Sequence, residues 1–262
     1  MNPQQENPYA APSSHVSDHV SQEEGFLCDP PNLVSAGRGI SWISEGWALF
    51  KDNPGTWIGM IAVYFVISLV LGMLPLVNLL LALVGPVFMG GLMLGAHAAA
   101  QGDGVEFSHL FAGFREYFGK LVMVAVIYFV GLIIIMVGVG LFFGLGAGFM
   151  SGQSPMASGA GIMTVLTGVL VALLLIVPWA MAIWFAPALI VLNELAPLDA
   201  MKLSFRGCLK NFMPFLVFSV VLLILAVLAA IPLFLGFLAL VPVMILATYT
   251  SYRDIFIDQS AR

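Results

Sequence analysis

Charge is what this sequence has least of. Asp, Glu, Lys and Arg make up 9% of its 262 residues, against 61% hydrophobic residues. The shortage is concentrated: no charged residue occurs between Asp52 and Asp103, between Lys120 and Glu194, or between Lys210 and Arg253. A water-soluble globule cannot be built from such stretches, which excludes the soluble classes. A bilayer-crossing helix needs roughly 20 apolar residues, so each stretch has room for two helices and a turn. The expected fold is therefore all-α and integral to a membrane. Its six transmembrane helices fall near 56–74, 78–98, 121–143, 163–191, 213–232 and 234–250.

Other shortages narrow the function. There are two cysteines, Cys28 and Cys208, both in segments assigned to the cytoplasmic side, which argues against a disulfide. Neither has a Cys or His neighbour at metal-ligand spacing. Ionisable residues are missing from the helix interiors, where coupled transporters keep theirs; His97 comes nearest and lies at a helix end. Glu106 and His109 have the Glu-x-x-His spacing of carboxylate-bridged metal sites, but such sites need two pairs and further acids. The connector holding His97, Asp103, Glu106 and His109 therefore reads as solvated. No phosphate loop, zinc-protease motif or paired nucleophile occurs. The sequence points to a non-catalytic protein with no cofactor, no metal and no nucleic-acid partner. The first 35 residues lack the apolar core of a signal peptide and read as a disordered cytoplasmic tail.

The charges that are present are ordered. All nine Lys and Arg residues fall in the N-terminal region, in 99–120, in 192–212 or in 251–262. The connectors near Pro75, at 144–162 and near Pro232 contain none. By the positive-inside rule both termini and both long basic connectors are cytoplasmic, giving three hairpins that dip from one face and return to it. The transmembrane domain covers 36–256, with 257–262 a short cytoplasmic tail.

The hairpins read as copies, with units at about 40–98, 105–192 and 196–252. Each returning helix carries a proline, Pro86, Pro178 or Pro242, marking a helix break. The middle unit is longer, and its excess, "GLGAGFMSGQSPMASGAG" (144–161), reads as an extended outer loop. Each unit opens with an amphipathic segment. In 40–51, Ile40, Ile43, Trp47 and Phe50 lie opposite Ser41, Glu45 and Lys51. In 105–118, Phe107, Leu110, Phe111, Phe114, Tyr117 and Phe118 form a stripe, with Arg115 off it and Lys120 just beyond. In 196–212, Met201, Phe205, Cys208, Leu209 and Phe212 oppose Asp199, Lys202, Arg206 and Lys210. Such helices lie in the interface plane, rings at the acyl boundary and basic ends at the headgroups. Small-residue spacing at Gly91 and Gly95, and at Gly140, Gly144 and Gly148, suits close helix packing within one chain or between two.

"AGRGISWISEGWALFKDNPGTW" (36–57), "PVFMGGLMLGAHAAAQGD" (86–103), "PWAMAIWFAPALIVL" (178–192), "PLDAMKLSFRGCLKNFMPFLV" (197–217) and "SYRDIF" (251–256) resemble a family of uncharacterised bacterial six-helix inner-membrane proteins. More distantly, the pattern is similar to the membrane domain of some glycerophosphodiester phosphodiesterases. The resemblance implies the bacterial inner membrane and brings no catalytic residues. The leading expectation is a protein that organises or contacts lipid, including anionic lipid, or supports another membrane complex. Its partners would then be lipids, a second copy or other membrane proteins. The alternative is an uncoupled transporter or flippase for an uncharged or amphipathic small molecule.

Overall fold

The computed structural model describes residues 26–151 and 159–258. Residues 1–25, most of the expected tail, and Arg262 lie outside them. Among the described residues there are helices and connections but no strand, only an isolated bridge between Leu27 and Ile257. The order is α1 (Arg38–Asp52), α2 (Pro54–Gly72), α3 (Pro75–Gln101), a 3-10 helix (Phe107–Phe114), α4 (Phe118–Ser151), α5 (Gly159–Trp184), α6 (Ala186–Asn193), α7 (Pro197–Lys210), α8 (Phe212–Ala230) and α9 (Phe237–Phe256). A short segment followed by long helices thus recurs along the chain. Prolines open α2, α3 and α7 in the first turn, where the missing N–H has no intrahelical partner and the fixed φ suits a helix. Gly102, at φ 85°, closes α3 with its N–H on the Ala98 and Ala99 carbonyls.

Five helical stretches are long and apolar enough to cross a membrane: Pro54–Gly72, Leu80–Gln101, Phe118–Phe143, Met163–Asn193 and Phe212–Ala230. Helix α9, the expected sixth span, does not reach that standard. Its second half carries Thr248, Thr250, Ser251, Arg253 and Asp254, and twelve of its residues are buried in the bundle.

The amphipathic openers are packed on other helices of the chain. Helix α1 runs antiparallel to α9 and packs on it and on α8. Its buried stripe is Gly39, Trp42, Ile43, Gly46 and Phe50, rotated from the expected one, so Ile40 and Trp47 stay exposed. The glycines explain the rotation. A Cβ on Gly46 would lie 2.7 Å from the Ala247 amide nitrogen and 2.9 Å from the Val243 carbonyl oxygen, so only glycine allows this approach. The second opener is a 3-10 helix that stops at Arg115. It lies along α3, where a Cβ on Gly113 would meet the Val87 carbonyl oxygen at 2.1 Å and one on Gly91 the His109 carbonyl oxygen at 2.4 Å. The small residues of "GLMLG" therefore serve packing inside the chain. The third, α7, packs on α5 and α6; it buries Ala200, Met201, Leu203, Ser204, Gly207 and Cys208, with Gly207 facing Phe256 of α9.

Three further expectations change. Residues 144–151 and 159–162 are helical ends of α4 and α5 rather than extended loop, leaving 152–158 outside the described residues. The chain from Phe26 to Val34 is not loose tail; it is hydrogen-bonded to the ends of α7 and α9. The helices also continue through Pro86, Pro178 and Pro242. A proline removes one donor, and a packed apolar helix tolerates that loss. The interruption falls instead at Phe185, ahead of Pro187, and divides α5 from α6.

Candidate functional site

One group of polar side chains with long-range contacts gathers where the C-terminal end of α9 meets α1, α7 and the segment 26–34. Asp254, in the last turn of α9, accepts from Arg38 Nε and from Trp42 Nε1, the latter at 2.7 Å, and pairs with a second Arg38 nitrogen. Arg38 also pairs with Glu45 at 2.9 Å, one face of α1 thus supplying three of the four groups. Burial works against the Arg38 charge, but the hydrogen bond and charge of Asp254, with Glu45 behind them, hold its pKa above the ordinary arginine value. Thr250 joins the same seam by donating to the Trp42 carbonyl at 3.2 Å. Beside this network a cleft of about 440 Å³ opens between α1 and α9, lined by Arg38, Glu45, Ala48, Leu49, Thr250, Arg253 and Asp254.

Segment 26–34 crosses the same end as a strap. Asn211 is fully buried between α7 and α8. It accepts from the Val34 N–H at 2.9 Å and donates to the Asn32 carbonyl at 2.8 Å and the Gly207 carbonyl at 3.0 Å. Lys210 donates to the Pro31 carbonyl at 2.7 Å. The Cys28 and Asn32 amides donate to the Phe256 and Ile255 carbonyls, both at 2.7 Å, capping the end of α9.

A third polar device holds the break at Phe185. The Phe185 N–H would bond the Met181 carbonyl in an uninterrupted helix; instead it donates to Ser204 Oγ at 3.0 Å, and Ser204 donates to Met181 at 2.7 Å. A buried serine of α7 thus replaces one rung of the α5 ladder. Burial pushes the Cys208 thiol next to it up to about 12, against a small opposing effect of Ser204.

The basic residues expected at headgroups are placed as follows. Lys51 and Arg115 are exposed. Lys120 donates to the Glu194 carbonyl at 2.9 Å, Lys202 pairs with Asp199 on its own helix at 3.4 Å, and Arg206 reaches Asp29 at 3.5 Å. Each engages a different local partner, and Arg206 and Lys210 share the strap. Trp47 and Phe114 keep exposed ring surface, with Phe114 edge-on to Phe88 at 4.9 Å, while Phe205 is half-buried against the core. Pro242 is buried, Pro86 half-buried and Pro178 exposed, so the three have different surroundings. Among the described residues no group of three or more His, Cys, Asp or Glu is placed to hold a metal. Glu106 and His109 instead form a capping box on the 3-10 helix, with the Glu106 N–H donating to His109 Nδ1 at 3.0 Å. His97 sits 3.0 Å from the Tyr249 hydroxyl, between α3 and α9. Sequence reasoning missed Arg38, Asp254, Asn211 and Ser204, whose only sequence signal was polarity beside long apolar runs.

Fold and site together define an all-helical protein with several membrane-crossing helices and a polar cap at one end. The comparisons agree with that class. Over 211 residues, 74% of this chain and 75% of the other, the sequence is 27% identical to a Burkholderia thailandensis protein named as a probable inner membrane protein. No protein-family model and no solved structure matches. The likeness to glycerophosphodiester phosphodiesterase membrane domains finds no support in these comparisons.

Proposed function

We propose that this is a six-span inner-membrane protein, α9 completing the sixth span as a protein-enclosed helix, with three hairpins entered from the cytoplasm and both termini cytoplasmic. On this reading it is non-catalytic and contacts and organises lipid or supports another membrane complex. The observation that carries the reading is the division of its surface. Large apolar side chains such as Phe65, Leu69, Ile134, Phe142, Leu174 and Leu223 are exposed along α2, α4, α5 and α8, while the ion pairs and the strap sit at one end. Exposed apolar area on this scale is stable when lipid or another apolar membrane surface covers it. The transporter reading has less support, because the residues next to Pro86 and Pro242, namely Val87, Phe88 and Val243, are core.

The test is labelling by an impermeant thiol reagent in a Cys28→Ser background. Ser260→Cys is expected to react from the cytoplasmic side and Ser154→Cys from the opposite side. Reaction of position 154 from the cytoplasm overturns the hairpin arrangement.

A further inference from the structure

We propose that the cleft between α1 and α9 is a binding site for a zwitterionic phosphate headgroup of the phosphoethanolamine type. The proposal rests on the lipid-contacting reading above and names the ligand chemistry. The cleft's volume of about 440 Å³ lies in the range of roughly 300–1,000 Å³ typical of small-molecule sites. Its lining is balanced in charge, with Arg38 and Arg253 against Glu45 and Asp254. The balance is not evenly used. Arg38 spends its donors on Asp254 and Glu45. Arg253 lines the cleft and has no ion pair among the described residues; its guanidinium carbon lies 6.0 Å from the centre of the Tyr249 ring. Glu45 gives one oxygen, Oε1, to Arg38, and Oε2 is unused by that pair.

Among the described residues the site therefore offers one cation without a carboxylate partner and one half-used carboxylate, with Ala48 and Leu49 as apolar wall. A guanidinium recognises a phosphate through directed N–H donors. A carboxylate beside it accepts from a primary ammonium, which has three donors and no acceptor. A net anion would satisfy Arg253 but would face Glu45 and Asp254, so the arrangement selects the zwitterion over phosphatidylglycerol. The same chemistry could arrive on a lipid or as a soluble phosphomonoester, and the apolar wall favours the lipid.

The test uses the full-length protein in detergent, titrated with phosphatidylethanolamine, phosphatidylglycerol or soluble O-phosphoethanolamine, with bound lipid read by native mass spectrometry and thermal midpoint. Phosphatidylethanolamine is expected to be retained at least five-fold over phosphatidylglycerol and to raise the midpoint. Arg253→Gln, outside the Arg38–Asp254 network, is expected to remove that preference without lowering the lipid-free midpoint, and Ala48→Phe to do so by filling the cleft. Equal retention of both lipids, or a preference that survives both variants, overturns the site and leaves general lipid contact standing. Protection by O-phosphoethanolamine with no lipid preference overturns the lipid source. Recovery with no bound lipid at all sinks both this site and the lipid-contacting role.

Discussion

Helices α4 and α9 look alike in sequence as apolar runs, yet they have opposite surroundings. Among its described side chains α4 buries only Leu121, Val124 and Ala125; apart from glycines, Lys120 and Tyr128, the others are Ile, Val, Leu, Met and Phe. Helix α9 is enclosed over most of its length by α1, α2, α3 and α8. The more apolar helix is the more exposed one. In a bilayer that is the expected direction, because lipid accepts any apolar side chain, whereas a helix enclosed by protein can carry hydroxyls and charges once each has a partner. Thr248, Ser251 and Thr250 are satisfied by backbone carbonyls, and Tyr252 donates to Asn193.

The contrast breaks most sharply at glycine. Gly46→Leu forces a side chain into the α9 backbone and is expected to destabilise by about 3 kcal/mol, seen as a large fall in thermal midpoint or loss of accumulation in membranes. Gly138→Leu on α4, where a Cβ would meet nothing within 4 Å, is expected to stay within about 0.5 kcal/mol of the parent. Equal effects at the two positions would mean that α1 does not pack on α9 as described.

Asp254→Asn comes next. It removes the charge from a carboxylate whose side chain is 13% exposed and that takes donors from Arg38 and Trp42. Arg38 is 32% exposed, so solvent screening reduces the loss to about 2 kcal/mol from the larger values of fully buried pairs. In an Arg38→Gln background the same change is expected to cost less than half as much, and additivity of the two would argue against a direct pair.

Ser204→Ala is expected to cost about 1–3 kcal/mol, since it leaves the Phe185 N–H and the Met181 carbonyl without their bridge inside the bundle. Thr167→Ala on the lipid-facing side of α5 removes only a hydroxyl bonded one turn back to Met163, and is expected to be silent.

These positions also show what the sequence can and cannot reveal. The charge-free runs expose the membrane class directly, because a run near 20 residues long is enforced by bilayer thickness. The proline starts of α2, α3 and α7 are legible for a similarly local reason. What was not legible depends on pairing between distant segments. Nothing near Gly46 says that α9 will press on it, and nothing near Ser204 says that a helix will break at Phe185 to receive its hydroxyl. Helical spacing assigned Ile40 and Trp47 to the α1 stripe because bulk was counted as burial, yet the buried face follows the two glycines. Arg206 and Lys210 read as headgroup contacts since their strap partners, Asp29 and Pro31, lie far away in sequence and looked like tail.

The smallest effect separates the two thiols. Cys28, half-buried on the strap with Sγ 3.5 Å from Asn32 Nδ2, is expected to react with a maleimide in the folded protein at pH 8. Cys208 is buried, and its thiol is pushed from an ordinary 9.0 to about 12, so it is expected to react only after unfolding. The sign of its pH effect follows from linkage. Between about 9 and 12 the unfolded chain has released this proton and the folded chain still holds it. The contribution to stability is therefore complete below pH 9 and declines as pH rises toward 12. Other groups titrate in that window, so the measurement is the difference between the parent and Cys208→Ala. The parent is expected to lose stability more steeply between pH 9 and the highest pH at which the detergent-solubilised protein unfolds reversibly. Parallel curves for the two would mean that Cys208 is solvated in the folded state and that α7 does not seal against α5.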